Sequence, residues 1–79
     1  MPPFDYGATA ELYASRNPSR RAPVGYTRFE TAAEAVRFAI ETMPPDQLAR
    51  AFLEVDEERF DAAGIALLYA SADYPLPRP

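Results

Sequence analysis

The stretch TAAEAVRFAIETMPP, residues 31–45, decides how this chain is read. Thr31 is followed three residues later by Glu34, the spacing of a capping box in which the hydroxyl takes one orphan backbone donor and the carboxylate reaches back for another. Behind it Ala32, Val36, Ala39, Ile40 and Met43 recur on one helical face. Pro44 and Pro45 close the segment, because a proline has no amide to donate and pushes the residue before it out of the α region. The pattern predicts a helix over 32–43 whose apolar stripe must be buried against something.

Upstream, VGYTRFE (24–30) and ATAELYAS (8–15) alternate in the period of a half-buried strand, with Ala8, Ala10, Leu12 and Ala14 on one side and Thr9, Glu11, Tyr13 and Ser15 on the other. Between them SRNPSRRAP carries two prolines that bar regular structure, so the two strands read as an antiparallel hairpin with a long loop. Downstream, Pro45 can open a single turn over 46–49, and RAFLEV (50–55) alternates as a third strand. A short fourth strand over 58–60 follows, although Asp56-Glu57 is a poor two-residue turn beside Asp-Gly. Asp61 is a plausible N-cap for a second helix ending near Ser71, with a stripe of Ile65, Leu68, Tyr69 and Ala72. Gly64 interrupts that helix at a cost of ~1 kcal/mol relative to Ala. DYPLPRP, about residues 73–79, reads as an extended proline-rich tail whose YPLPRP has the shape that peptide-groove domains recognise, with packing on its own domain the favoured reading over a disordered end or a ligand.

The order β-β-α-β-(β)-α predicts an α+β two-layer sandwich: a small antiparallel or mixed sheet with both helices on the face carrying Leu12, Phe29, Leu53 and Val55. Seventy-nine residues make one domain, 1–79, with a thin core. The chain has no Cys and no His, which removes disulfides and the usual zinc ligands as staples and leaves oligomerisation. MPPFDYG lacks the basic and apolar segments of a signal peptide, and no apolar run reaches the ~18 residues of a membrane span, so the expectation is a soluble cytoplasmic protein with no membrane contact. All eight basic residues are Arg and none is Lys. Together with abundant Ala and Pro, this reads as the codon bias of a GC-rich bacterial genome.

Without His, Cys or Lys, the imidazole base, the thiolate nucleophile and the Schiff-base amine are all missing, so no enzymatic activity and no cofactor are expected. The densest acidic run, EVDEERFD (54–61), offers Glu54, Asp56 and Glu58 as the one conceivable carboxylate cluster. It lacks the spacing and the glycine of a calcium loop, and it reads as a solvated edge. Arg16, Arg20 and Arg21 lie in the loop 15–21, above strands carrying Tyr13 and Tyr26 as possible stacking platforms, which makes a nucleic-acid-binding accessory protein the alternative function. Against it, the net charge is −4 and Glu11, Glu30 and Glu54 fall on the same predicted face. Arg28 is expected to pair with Glu11 or Glu30, and the loop reads as a turn kept soluble by charge.

Apolar residues off the core stripe say more. Phe38 lies about 160° from Ile40, and Leu67 about 160° from Tyr69, on helices turning about 100° per residue, so both should point away from the sheet. The outer sheet face would hold Tyr13, Tyr26 and Phe52. Two large side chains on outward helical faces beside an aromatic sheet face exceed what a small monomer usually displays. The alternative is a different rotation of the helices, or a tail that folds back with Tyr74 and Leu76 onto one patch. The leading expectation is a small non-enzymatic protein-interaction or regulatory module, homodimeric or bound to another protein, using Phe38 and Leu67 or Tyr13, Tyr26 and Phe52. GYTRFETAAEAVRFAIE and SADYPLPR resemble short, functionally uncharacterised proteins of GC-rich bacteria. The resemblance implies a free-standing small protein and assigns no site residue.

Overall fold

The computed structural model describes residues 4–14 and 25–77, with residues 14, 25 and 26 described in their backbone only. Four strands, β1 (Ala10–Ala14), β2 (Gly25–Phe29), β3 (Ala51–Val55) and β4 (Glu58–Phe60), form one antiparallel sheet in the order β2-β1-β3-β4. Among the described residues there are also three helices, α1 (Ala32–Glu41), α2 (Pro45–Leu48) and α3 (Ala62–Ala70). α1 and α3 lie on one face, giving the two-layer α+β sandwich that the order of elements implied.

The elements form where their sequence signals stand, with ends that shift for identifiable reasons. Thr31 caps α1, its Oγ1 accepting from the Glu34 N–H at 3.2 Å, and the last turn widens as the Met43 N–H joins the Thr42 N–H in donating to the Phe38 carbonyl ahead of Pro44. The helix therefore ends at Glu41 rather than at Met43. β1 starts at Ala10 rather than at Ala8 because a turn precedes it: the Gly7 N–H donates to Asp5 Oδ1 at 2.9 Å, and the Ala8 N–H to the Asp5 carbonyl at 3.3 Å. β3 likewise begins one residue later than RAFLEV suggested, since the Arg50 N–H donates to the Gln47 carbonyl and extends the α2 turn. Pro45 sits in the first turn of α2 as expected of a residue with no amide to satisfy. Asp61 caps α3 through the Gly64 N–H at 2.9 Å.

Since β1 pairs antiparallel with both β2 and β3, the β2-α1-β3 connection must stride over β1, and α1 does so on the helical side. Its inward face is mostly alanine, with Ala32, Ala33, Ala35, Val36 and Ala39 buried against Ala10, Leu12, Leu53 and Val55, while α3 contributes Ile65. Small side chains on α1 bring its backbone close to the sheet. The largest fully buried side chains are Leu53, Ile65 and Val36, so the core is thin, as the chain length demands.

An aromatic cluster built from both ends closes one side of this core. Phe4 meets Tyr6 edge-on at 4.9 Å and Phe60 at 5.3 Å, Tyr6 meets Tyr74 at 5.9 Å, and Tyr74 meets Tyr69 at 5.0 Å. The Tyr6 hydroxyl donates to the Leu68 carbonyl at 2.8 Å, and the Ala33 N–H donates to the Tyr6 carbonyl at 3.0 Å. Tyr74 is only 6% exposed and Leu76 packs on the core. The described part of the tail therefore lies on its own domain. MPPFDYG gives no sign that Phe4 and Tyr6 belong to the core, since each aromatic stands alone among turn residues with no period to reveal it.

Candidate interaction surface

Three surfaces remain to the outside, and the sequence-derived candidates are distributed among them. On the sheet, strand register sets out rows of residues. One row runs Arg28, Glu11, Glu54, Arg59 across all four strands. The adjacent row places Tyr26, Tyr13 and Phe52 in register. The Tyr13 and Phe52 rings stack at 4.7 Å with 14° between their planes, and the Arg59 guanidinium lies 4.5 Å over the Phe52 ring while its Nη2 reaches Glu54 Oε2 at 3.5 Å. Two glutamates directly opposed across β1 and β3 repel, and the arginines at either end of the row offset that repulsion. Arg28 stands in register with Glu11, one of the two partners named for it from the sequence. The Tyr13 hydroxyl is pushed above its ordinary value by desolvation, then by Glu11 and Glu54, with Arg59 acting in the opposite direction.

The second surface is the β2 edge of the helical layer. Phe38, 36% exposed, does point outward, but its ring leans on Phe29 of β2 at 5.6 Å. At the end of β2, Thr9, Arg28, Phe29 and Glu30 line a groove of about 390 Å³. Phe38 thus ends partly covered, because a phenylalanine on the flank of α1 is long enough to reach over the edge strand.

The third surface is α3. Its sequence, AAGIALLYA, contains no charged side chain, and its one polar atom is the Tyr69 hydroxyl, which donates to Glu41 Oε2 at 2.6 Å and ties α3 to α1. Ile65 is buried and Leu68 and Tyr69 are half-buried, whereas Ala63, Ala66, Leu67 and Ala70 face outward, with Leu67 73% exposed. Those four residues occupy one continuous outward arc, free of polar atoms apart from the backbone. Ala72, assigned to the inward stripe from its spacing, is exposed instead, since the helix stops at Ala70 and the period ends with it. Phe38 and Leu67 do not form a joint patch: α3 packs over β3 and β4, while Phe38 overhangs β2 at the other side of the sheet.

The carboxylates of residues 54–61 are scattered. Glu54 is on the outer sheet face, Asp56 and Glu57 form the turn, and Glu58 is in register with Val55 on the opposite face from Glu54. Among the described residues, no group of three or more acidic side chains is placed to hold a metal ion. Arg16, Arg20 and Arg21 lie outside the described residues. No helix among the described residues is long and apolar enough to cross a membrane. No family model matches the chain, and neither a curated protein nor a solved structure is significantly similar to it.

Proposed function

We propose that this chain is a small non-enzymatic protein-interaction module and that α3 is its principal contact surface. One observation carries the reading. A helix on the outside of a small domain keeps an apolar stripe inward and polar residues outward, and a helix that is apolar all round is ordinarily buried all round. α3 is apolar on every side yet buries one residue fully and leaves Leu67 largely exposed. Water gains nothing from that outward arc, whereas a partner would remove it from solvent at ~25 cal/mol per Å². The partner is a second copy of the chain, as a thin core invites, or another protein. The stacked Tyr13 and Phe52 on the outer sheet face are a secondary surface, with Arg59 and Glu54 fixing the geometry around them.

A photo-reactive side chain placed at Leu67, with the same group at exposed Gln47 as control, tests this. A discrete adduct is expected in the producing cells from position 67 and none from position 47. An adduct of twice 8.8 kDa formed by the purified protein would identify the second copy as partner. Position 67 yielding no adduct in cells or in concentrated protein would remove α3 as the contact surface.

A further inference from the structure

We infer that the outward face of α3 receives a basic amphipathic helix of another protein, an inference that rests on the proposed role of α3 and names its partner's chemistry. The charges at the ends of the face select among occupants. Asp61 stands exposed at the helix N-terminus and Asp73 exposed just beyond its C-terminus, and along one side Glu41 is the residue bonded to Tyr69. The β3–β4 turn adds Asp56 and Glu57, and the start of β4 adds Glu58, all exposed. Arg59 reaches the other face of the sheet, where it lies over Phe52, and Arg37 is engaged by Glu41 at 3.4 Å.

A second copy meets this rim badly in either direction. Antiparallel pairing of two α3 helices sets Asp61 beside the partner copy's Asp73, and parallel pairing sets each carboxylate beside its own duplicate. Like charges at such spacing are unfavourable, and opposite charges steer the encounter and fix its register. Size points the same way. Nine residues at 1.5 Å rise make a ridge about 14 Å long, which at a helix width of about 10 Å is on the order of 140 Å², far short of the roughly 800 Å² per partner of a stable dimer face. A ridge of that length is matched by two to four turns of a guest helix laid against it. Ala63, Ala66 and Ala70 let the guest backbone approach, Leu67 supplies the one knob, and Lys or Arg flanking the guest's apolar stripe meet Asp61 and Asp73.

The probe is a synthetic 18-residue peptide with leucines on one helical face and lysines elsewhere. It is compared at physiological salt with a scrambled peptide of the same composition and with a counterpart carrying Glu for every Lys. Fluorescence anisotropy reads affinity, and amide shifts of the whole protein locate the site. The leucine–lysine peptide is expected to bind with shifts centred on residues 63–70, to weaken at least tenfold on Leu67→Ser and two- to threefold on Asp73→Asn, and to outbind both controls. Leu67→Ser leaves every charge in place, and because the side chain is exposed the variant is expected to melt within a few degrees of the parent, the cost being helix propensity alone.

Equal affinity for Leu67→Ser, or for the scrambled peptide, would reduce the binding to long-range attraction and overturn the inference, as would absence of binding. A concentration-dependent dimer seen by sedimentation and abolished by Leu67→Glu would overturn the basic-helix partner while leaving α3 as the contact surface. A peptide footprint on Tyr13 and Phe52 instead of α3 would overturn both.

Discussion

At the scale of single residues, the two helix caps and one tyrosine carry consequences that can be measured. Asp61 accepts from the Gly64 N–H at the start of a helix that has little else to hold its first turn. Asp61→Ala is expected to lower stability by about 1 kcal/mol, with Asp61→Asn close to neutral because the amide oxygen can take the same bond. Denaturant midpoints with an unchanged slope would check this, and an alanine variant as stable as the parent would refute the cap. Tyr13 is held above 10.0 by desolvation first and by Glu11 and Glu54 second. The folded chain therefore keeps that proton longer than the unfolded chain does. The stability this contributes is complete below pH 10 and is lost as pH rises through the folded value. Following the Tyr13 ring carbon by NMR, the midpoint is expected to fall in Glu54→Gln and to rise in Arg59→Gln, since Arg59 acts in the lowering direction. A wild-type midpoint at the free tyrosine value would refute the assignment. Both caps were legible in the sequence because Thr31-x-x-Glu34 and Asp61 are local signals. The Tyr13 environment was legible in part: alternation puts Glu11 and Glu54 on its face, but bringing Arg59 there required the register of β4.

At the scale of elements, the β3–β4 hairpin shows a local rule overruled. Val55 pairs with Glu58 across a two-residue loop in which Asp56 has φ 49° and Glu57 φ 70°. Both lie in the left-handed region, which costs a side-chain-bearing residue about 1–2 kcal/mol. Asp tolerates it through its short side chain, and Glu does not. The hairpin closes regardless because Phe60, in register with Leu53, packs against the core and against Phe4. Glu57→Gly is thus expected to stabilise the domain by about 0.5–1 kcal/mol, the relief of left-handed strain less the extra flexibility of glycine. That gain corresponds to roughly 2–8 °C in melting temperature for a domain of this size, and a lower melting temperature would show the turn to be unstrained. α3 teaches the complementary lesson. Its existence and its cap were readable, but Gly64, which looked like a defect, is a close approach: a Cβ there would come within 3.3 Å of the Phe60 Cβ. The separation of Phe38 from Leu67 could not be read at all. A helical wheel gives the outward direction of each helix but not which strand lies beneath it, and β2 and β4 prove to be opposite edges of the sheet.

At the scale of the whole molecule, the question is what lets so thin a core hold. About 0.05–0.15 kcal/mol per residue gives this chain roughly 4–12 kcal/mol in all, and the sheet's centre depends on a pairing between β1 and β3 that is made only after the chain has passed through β2, α1 and α2. Such a long connection is costly to close. The aromatic cluster recruits the two ends of the described chain to the same task, with Phe4 and Tyr6 from one end and Tyr74 from the other meeting around Phe60 and Tyr69. If the tail merely trailed from α3, a chain shortened to end at Ala72 would melt where the parent does. The packing requires otherwise. Losing a buried aromatic side chain costs about 3–5 kcal/mol, and removing Tyr74 also bares one flank of Tyr6 and of Tyr69. The shortened chain is therefore expected to melt about 12–40 °C lower, at about 4–8 °C per kcal/mol, and Tyr74→Ala alone should reproduce most of that loss. Tyr74→Phe should retain nearly all of the stability, because ring packing rather than the hydroxyl is the source of the effect. Unchanged melting on truncation would mean that Leu53, Ile65 and Val36, with the alanine face of α1, suffice by themselves to hold the two layers together.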